Sequence, residues 1–266
     1  MRLATWNVNS LRVRMPQLLG WLERNPVDII ALQELKLTDD EFPGAEIEQA
    51  GWHALCNGQK TYNGVAIMSR GPTPADIVRD IPGFEDTQRR ALAATYGDLR
   101  VIAVYVPNGQ RLGSDQYLYK LKWLEALRAW LADELRRHAQ LIVLGDYNIA
   151  PEDRDVHDPA LWANSIHVSE PERAALRALL ALGLEDLFRR FEQPPASFSW
   201  WDYRAGAFRR NRGLRIDLML ASKALAERCT ASSIDREPRG WERPTDHAPV
   251  LATFTAPPVM SNPSRP

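Results

Sequence analysis

Polar side chains of one chemical kind stand where the apolar runs of this chain end. Asn7 and Asn9 close LATWNVN, Glu34 closes DIIALQE, and Asp146 and Asn148 close LIVLGDYN. Tyr105 and then Asn108 stand where RVIAVYV runs into a Pro-Asn-Gly turn, and Asp246-His247 precede PVLATF. Taken singly, an Asn or Asp at a strand end is an ordinary turn former. Asp217 departs from that, because it lies inside LRIDLML, where a carboxylate is costly to bury unless it is paired or bound to a metal. Carboxylate and amide oxygens with a single His and no nearby Cys suit a hard cation, Mg²⁺ or Mn²⁺, better than zinc. The chain has no P-loop, no GxGxxG and no GxSxG, so the nucleotide-cradle and nucleophile-elbow chemistries are not indicated. Metal-assisted attack on a phosphate ester is the class that uses these residues together.

The runs that deliver them read as strands of a covered sheet. DIIALQE and LIVLGDYN are apolar almost throughout, as strands buried on both faces are. Each follows a helical pattern, Leu18, Leu19 and Leu22 before the first, and Leu121, Leu124, Leu127, Leu131 and Leu135 over 116–138 before the second. Further strand candidates are 3–9, 64–69, 91–96, 100–106, 214–220 and 249–254, and Gly97-Asp98 joins two of them as a hairpin. Too many strands follow one another without a helix for one parallel sheet. The expected fold is a four-layered α/β sandwich, two mixed sheets face to face with helices outside.

No Gly- or Ser-rich linker divides the chain of 266 residues, so 1–255 reads as one catalytic domain and the proline-bearing 256–266 as a disordered tail. Net charge is −1, which excludes a wholesale basic binder of nucleic acid but not a local basic patch. The patch is there: Arg204, Arg209, Arg210, Arg212 and Arg215 fall in one stretch with no acid between them, beside Trp200, Trp201, Tyr203 and Phe208. Cations with stacking surfaces suit a nucleic-acid backbone with a displaced sugar or base. Two cysteines and no apolar segment of membrane length suggest a reducing, cytoplasmic setting and no membrane partner. Trp21, Trp123 and Trp130 read as core, and His53, His138 and His157 as surface.

TWNVNSLR, LQELK, GVAIMS, QRR, YVPNG, LGDYNIAP, SFSWWDYR, GLRIDLMLAS and PTDHAPV occur in this order over roughly 1–255. In this the chain resembles the exonuclease III family of bacterial abasic-site endonucleases and 3′-end exonucleases, within a superfamily that also holds DNase I and inositol-phosphate phosphatases. The GDxN and DH motifs specify a phosphoesterase; QRR, FSWWDYR and GLRID point to the DNA-repair branch.

The resemblance implies roles by position. Glu34 is the metal ligand, with Asn9, Asp246, Asp146 and Asn148 around it, and Asp146 orients or deprotonates the attacking water. His247 stabilises charge on the phosphate, Asp217 orients its imidazole, and Asn7, Tyr105 and Asn108 contact the phosphate. The base is Asp146 or a Tyr105 phenolate; a phenol pKa of ~10 favours Asp146. Trp200, Leu214 and Ile216 wall an abasic-sugar pocket, with Leu214 where some relatives carry Trp, and Arg111 reaches into the DNA groove. Arg204 and Arg212 belong to the basic segment on the DNA side. His167, in NSIHVSEPER, stands where abasic-site endonucleases carry a small residue. Its ring either blocks a flipped sugar while leaving 3′ ends accessible, or is a surface residue without a role.

The implied protein is a monomeric bacterial Mg²⁺-dependent DNA-repair phosphodiesterase, with Mn²⁺ as a substitute. Its partner is duplex DNA with abasic sites, nicks or blocked 3′ ends. A phosphatase of a non-DNA ester and a non-catalytic DNA-binding module are the alternatives; the arginine–aromatic segment argues against the first and the full set of acids, amides and His against the second.

Overall fold

The apolar runs become the inner strands of two sheets in a computed structural model that describes residues 1–255; the expected disordered tail lies outside those residues. The strands are β1 (Arg2–Asn7), β2 (Ile29–Gln33), β3 (His53–Asn57), β4 (Val65–Ser69), β5 (Ala75–Arg79), β6 (Ala91–Tyr96), β7 (Leu99–Tyr105), β8 (Gln140–Asp146), β9 (Leu184–Asp186), β10 (Asp217–Ser222), β11 (Cys229–Ile234) and β12 (Val250–Phe254). One sheet runs β11-β12-β1-β2-β4-β3, the other β5-β6-β7-β8-β10-β9. Pairs β1–β2 and β7–β8 are parallel, and β6–β7 is the expected hairpin, in register from Ala91↔Val104 to Tyr96↔Leu99.

Leu3, Ala31 and Ile67 of the first sheet meet Leu92, Val101, Ile142 and Met219 of the second in one apolar cluster between them. Helix α1 (Leu11–Arg24) covers the outer face of the first sheet with Leu11, Leu18, Trp21 and Leu22. The outer face of the second is covered by α3 (Asp115–Arg137) and α5 (Glu170–Leu180), through Trp123, Leu127, Trp130, Leu176 and Leu179. The result is the expected four-layered sandwich, with Trp21, Trp123 and Trp130 in its core. Short helices α2 (Gly44–Gln49), α4 (Pro159–Trp162) and α6 (Lys223–Ala226) lie in the connections. Among the described residues no helix is long and apolar enough to cross a membrane.

Helix α3 shows how local chemistry fixes an element. The Ser114 hydroxyl caps it by accepting from Tyr117 N, Asp115 opens it and Arg136 and Arg137 close it, the charge order that a helix dipole favours. Its inward stripe also carries two charged residues, Lys120 and Glu134, both fully buried. Each has a partner, Glu172 for Lys120 and Arg100 for Glu134.

Two expectations are corrected here. Strand β10 starts at Asp217, so this carboxylate opens a strand rather than interrupting one. Leu214 before it makes isolated bridges to Val156 and Trp200, and Arg215 and Ile216 are held by single backbone bonds to Asp155 and Tyr147. In addition β3, β5, β9 and β11 lie outside the strand candidates that the sequence pattern marks. All are sheet edges, and an edge such as β5, exposed along most of its length, carries no apolar run.

One glycine sets the site. Gly145 in β8 has φ +154°, and a Cβ there would lie 1.8 Å from Val104 O. This close approach of β7 and β8 precedes the register pair Tyr105↔Asp146.

Candidate active site

Both sheets end at one place. Asn7 closes β1, and its Nδ2 donates to Glu34 Oε1 at 2.9 Å and to Asp146 Oδ2 at 3.0 Å. A single amide thus ties the first sheet to the second. Glu34, just past β2, takes φ 54° and Asn148, just past β8, φ 50°. In this left-handed conformation the chain turns sharply and the side chain stays over the strand ends. Asp146, fully buried, also accepts from Asn148 N at 2.9 Å and Asn148 Nδ2 at 3.3 Å.

Asp217 lies opposite Asp146 across the β8–β10 pair. Its Oδ2 accepts from His247 Nδ1 at 2.9 Å, and His247 Nε2 then lies 3.7 Å from Asp146 Oδ2. Trp6 Nε1 holds the carbonyl of His247 at 3.2 Å. Burial raises the Asp146 carboxyl to about 7, against the pull of the neighbouring imidazole. Burial alone would lower His247, but Asp217, Asp146 and Asp246 outweigh it and raise the imidazole to about 10. Tyr105 is pushed well above the ordinary phenol range by burial and by Glu34 and Asp146, so it is a neutral phenol at neutral pH. That favours Asp146 over Tyr105 as the base.

Ligand atoms of Glu34, Asp146 and His247 lie within 4.8 Å of one another. The donor set fits a hard cation through its two carboxylates. His247 Nδ1 is already committed to Asp217, which leaves Nε2 as its free nitrogen facing the group. Glu34 already faces a cation: Lys36 Nζ lies 3.0 Å from its Oε2 and donates to Asn9 Oδ1 at 2.5 Å. Asp246 stands outside the group, taking Asn9 Nδ2 at 2.8 Å and Trp200 Nε1 at 2.9 Å. The amide of Asn148 is likewise engaged, its Oδ1 by Asn108 Nδ2 at 3.3 Å and its Nδ2 by Val106 O at 3.0 Å.

The expected DNA side is rearranged. Arg111, Arg209, Arg210 and Arg212 are exposed. Arg204 is exposed as well, with its fork on Asp202 at 3.0 and 2.9 Å. Arg215 is not a DNA-facing cation: it is 1% exposed and paired with Asp155 at 2.6 Å and Asp186 at 2.8 Å. Trp201 is also interior, edge-on to Phe208. Trp200, Leu214 and Ile216 do meet, but as a closed cluster with Val156 and Trp162. Leu214 and Ile216 are both buried, and Trp162 packs edge-on to Trp200 with centroids 6.3 Å apart. The reading of His167 as a surface residue is overturned. It is buried, its Nδ1 donates to Asn148 O at 2.6 Å, and its ring centroid is 6.1 Å from that of Trp162.

Sequence reasoning passed over Lys36, Trp162, Asp155, Lys120 and Glu172. For Lys120 a signal existed, since it occupies the same helical stripe as Trp123, Leu124 and Leu127.

A carboxylate pair able to hold a metal at the meeting ends of two sheets, with a carboxylate-held histidine beside it, is the arrangement of a phosphoesterase sandwich. The sequence matches the Endonuclease/Exonuclease/phosphatase family over residues 4–247, and the chain belongs to that family. It is 38% identical to Exodeoxyribonuclease III of Haemophilus influenzae, across 96% of this chain and all of that protein. Among solved structures, a 3′ phosphatase from Neisseria bound to a product DNA hairpin superposes with TM-score 0.94 at 48% identity, covering 96% of this chain and 100% of that one. An AP endonuclease from Archaeoglobus fulgidus gives 0.92 at 37%, with coverage of 96% and 100%.

Proposed function

We propose that this chain is a divalent-metal-dependent DNA-repair phosphodiesterase that processes 3′ ends of duplex DNA, as a monomer, with Mg²⁺ as its metal. The observation that carries the reading is the line Asp217–His247–Asp146, placed beside Glu34 by the Asn7 amide.

Glu34 and Asp146 would hold the metal, which supplies charge neutralisation at the phosphate. Burial makes Asp146 more basic than an exposed carboxylate, and it is the group placed to take the proton of the attacking water. Water oxygen bonds to phosphorus, its proton passes to Asp146, and the 3′ oxygen leaves. His247 Nε2–H faces the charge that develops on the phosphoryl oxygens, while Asp217 keeps Nδ1 as the other donor. The neutral Tyr105 hydroxyl and the Asn108 amide are further donors to the phosphate, while both N–H groups of the Asn7 amide are held by Glu34 and Asp146.

The closed Trp200–Leu214–Ile216 cluster beneath Trp162 favours 3′-blocked ends over internal abasic sites, since a flipped sugar would have to open it. The exposed arginines 111, 209, 210 and 212 would carry the DNA backbone.

The test compares two duplexes with Mg²⁺ and with EDTA, one with an internal abasic site and one with a nick ending in 3′-phosphate. Metal-dependent phosphate release that outpaces abasic incision is expected. Equal incision of the abasic strand would remove the 3′-end preference, and silence on both would point to an ester outside DNA.

A further inference from the structure

Behind the two asparagines at the site lies a charged pair with no access to solvent. Lys120 of α3 and Glu172 of α5 are both 0% exposed and paired. The Lys120 ammonium has three N–H groups, and each finds an acceptor: Glu172 Oε1, Asn148 O at 2.7 Å and Asn108 O at 3.3 Å. Its stem runs under the turn that follows, where a Cβ on Gly109 would meet Lys120 Cδ at 3.2 Å. Glu172 in turn accepts from His167 N at 3.0 Å and Ser169 N at 3.1 Å. Asn148 is the residue with left-handed φ, and its carbonyl receives a second bond from His167 Nδ1 at 2.6 Å.

Burying an ion pair is poor value for stability alone, since apolar residues of the same size often do as well. The arrangement here does something an apolar pair would not. One ammonium holds the carbonyls of both asparagines whose amides meet at 3.3 Å in front of Asp146. We propose that Lys120 is a positioning residue: anchored by Glu172, it fixes the backbones of Asn108 and Asn148 so that their amides stand in register with Asp146. This rests on the functional reading above. The step it serves is orientation of the water and the phosphate, and Lys120 itself touches neither.

The test uses the full chain with Lys120→Gln and with the double variant Lys120→Met/Glu172→Gln. The first keeps a hydrogen bond to Glu172, and the second removes both charges together, so that no lone charge is left buried. On a 3′-phosphate nicked duplex, folded variants are expected to lose about 30-fold or more in kcat with KM within about three-fold. The carboxamide of Asn148, identified in a ¹⁵N spectrum by its loss in Asn148→Ala, is expected to leave its wild-type position in both variants. Folded variants with wild-type kcat, or with an unmoved Asn148 amide signal, overturn the proposal. Loss of folding in both overturns it in favour of a purely structural pair. If the wild-type chain releases no phosphate, the functional reading fails instead, and the amide signal alone decides the anchor.

Discussion

His247 donates Nδ1–H to Asp217 Oδ2 at 2.9 Å, and this one bond sets which nitrogen faces Asp146. A buried carboxylate that accepts from one ring nitrogen fixes the orientation of the imidazole and stabilises its positive charge. Asp217→Asn removes that stabilisation and offers an amide donor to a ring nitrogen that must itself donate. Single-turnover phosphate release is expected to slow by at least about 100-fold, toward the roughly 10⁴-fold cost of losing such an orienting acid in a catalytic triad. A rate within a few-fold of wild type would remove His247 from charge stabilisation.

Lys36 competes with any metal at Glu34, since its ammonium already lies 3.0 Å from Oε2. A unit charge at ~4 Å in water is worth about 1 kcal/mol, or a factor of about five. Lys36→Met is therefore expected to tighten Mg²⁺ about five-fold in a half-saturation titration, with the difference fading as salt rises. EDTA is expected to abolish activity in both forms.

Two arginines close in sequence are expected to fail differently. Arg215 is buried between Asp155 and Asp186, and truncating one partner of such a network costs about 3–5 kcal/mol. Arg215→Leu should show this as a lowered urea midpoint. Arg212 is exposed; Arg212→Ala should leave the midpoint unchanged and reduce the slope of log Kd against log salt by about one. Exchanged phenotypes would reverse the assignment.

His167 ties stability to pH. Burial, with the nearby Lys120 charge, lowers its imidazole from 6.5 to about 4. The unfolded chain therefore takes up a proton in that interval before the native one does, so the contribution of the neutral ring is full above 6.5 and is lost as pH falls toward 4. The span corresponds to roughly 3 kcal/mol. Urea midpoints of wild type minus those of His167→Gln should decline between pH 7 and 4.5; a flat difference would mean that His167 protonates freely in the native state.

The same ring buttresses Trp162, which closes the cluster over Leu214 and Ile216. His167→Gly also suits the left-handed φ of 73° at that position. Incision of internal abasic sites is expected to rise in this variant relative to 3′-phosphate release. An unchanged ratio of the two rates would sink the link between His167 and substrate choice.

How far the sequence could be read depended on burial. LATWNVN, DIIALQE and LIVLGDYN advertise themselves because both their faces are covered, and with them come Asn7, Glu34 and Asp146. The edges β3, β5, β9 and β11 pair on one side only, so HALCN or CTASSI shows no continuous apolar signal. Arg215 shows the complementary failure. Among neighbouring arginines it looks solvated, and only Asp155 and Asp186, distant in sequence, make it a core residue. His167 was invisible as a buried group for the same reason, its partners being a backbone carbonyl and Glu172.

Asn7 and Glu34 come from one sheet, Asp146 and Asp217 from the other, so the site exists only while the two halves are docked. A divalent ion held by Glu34 and Asp146 would act as a rivet through that seam, and chelation would be felt along its length as faster breathing. Amide exchange in the facing strands, followed with and without the ion, would then report on the chemistry from the middle of the protein, far from any substrate.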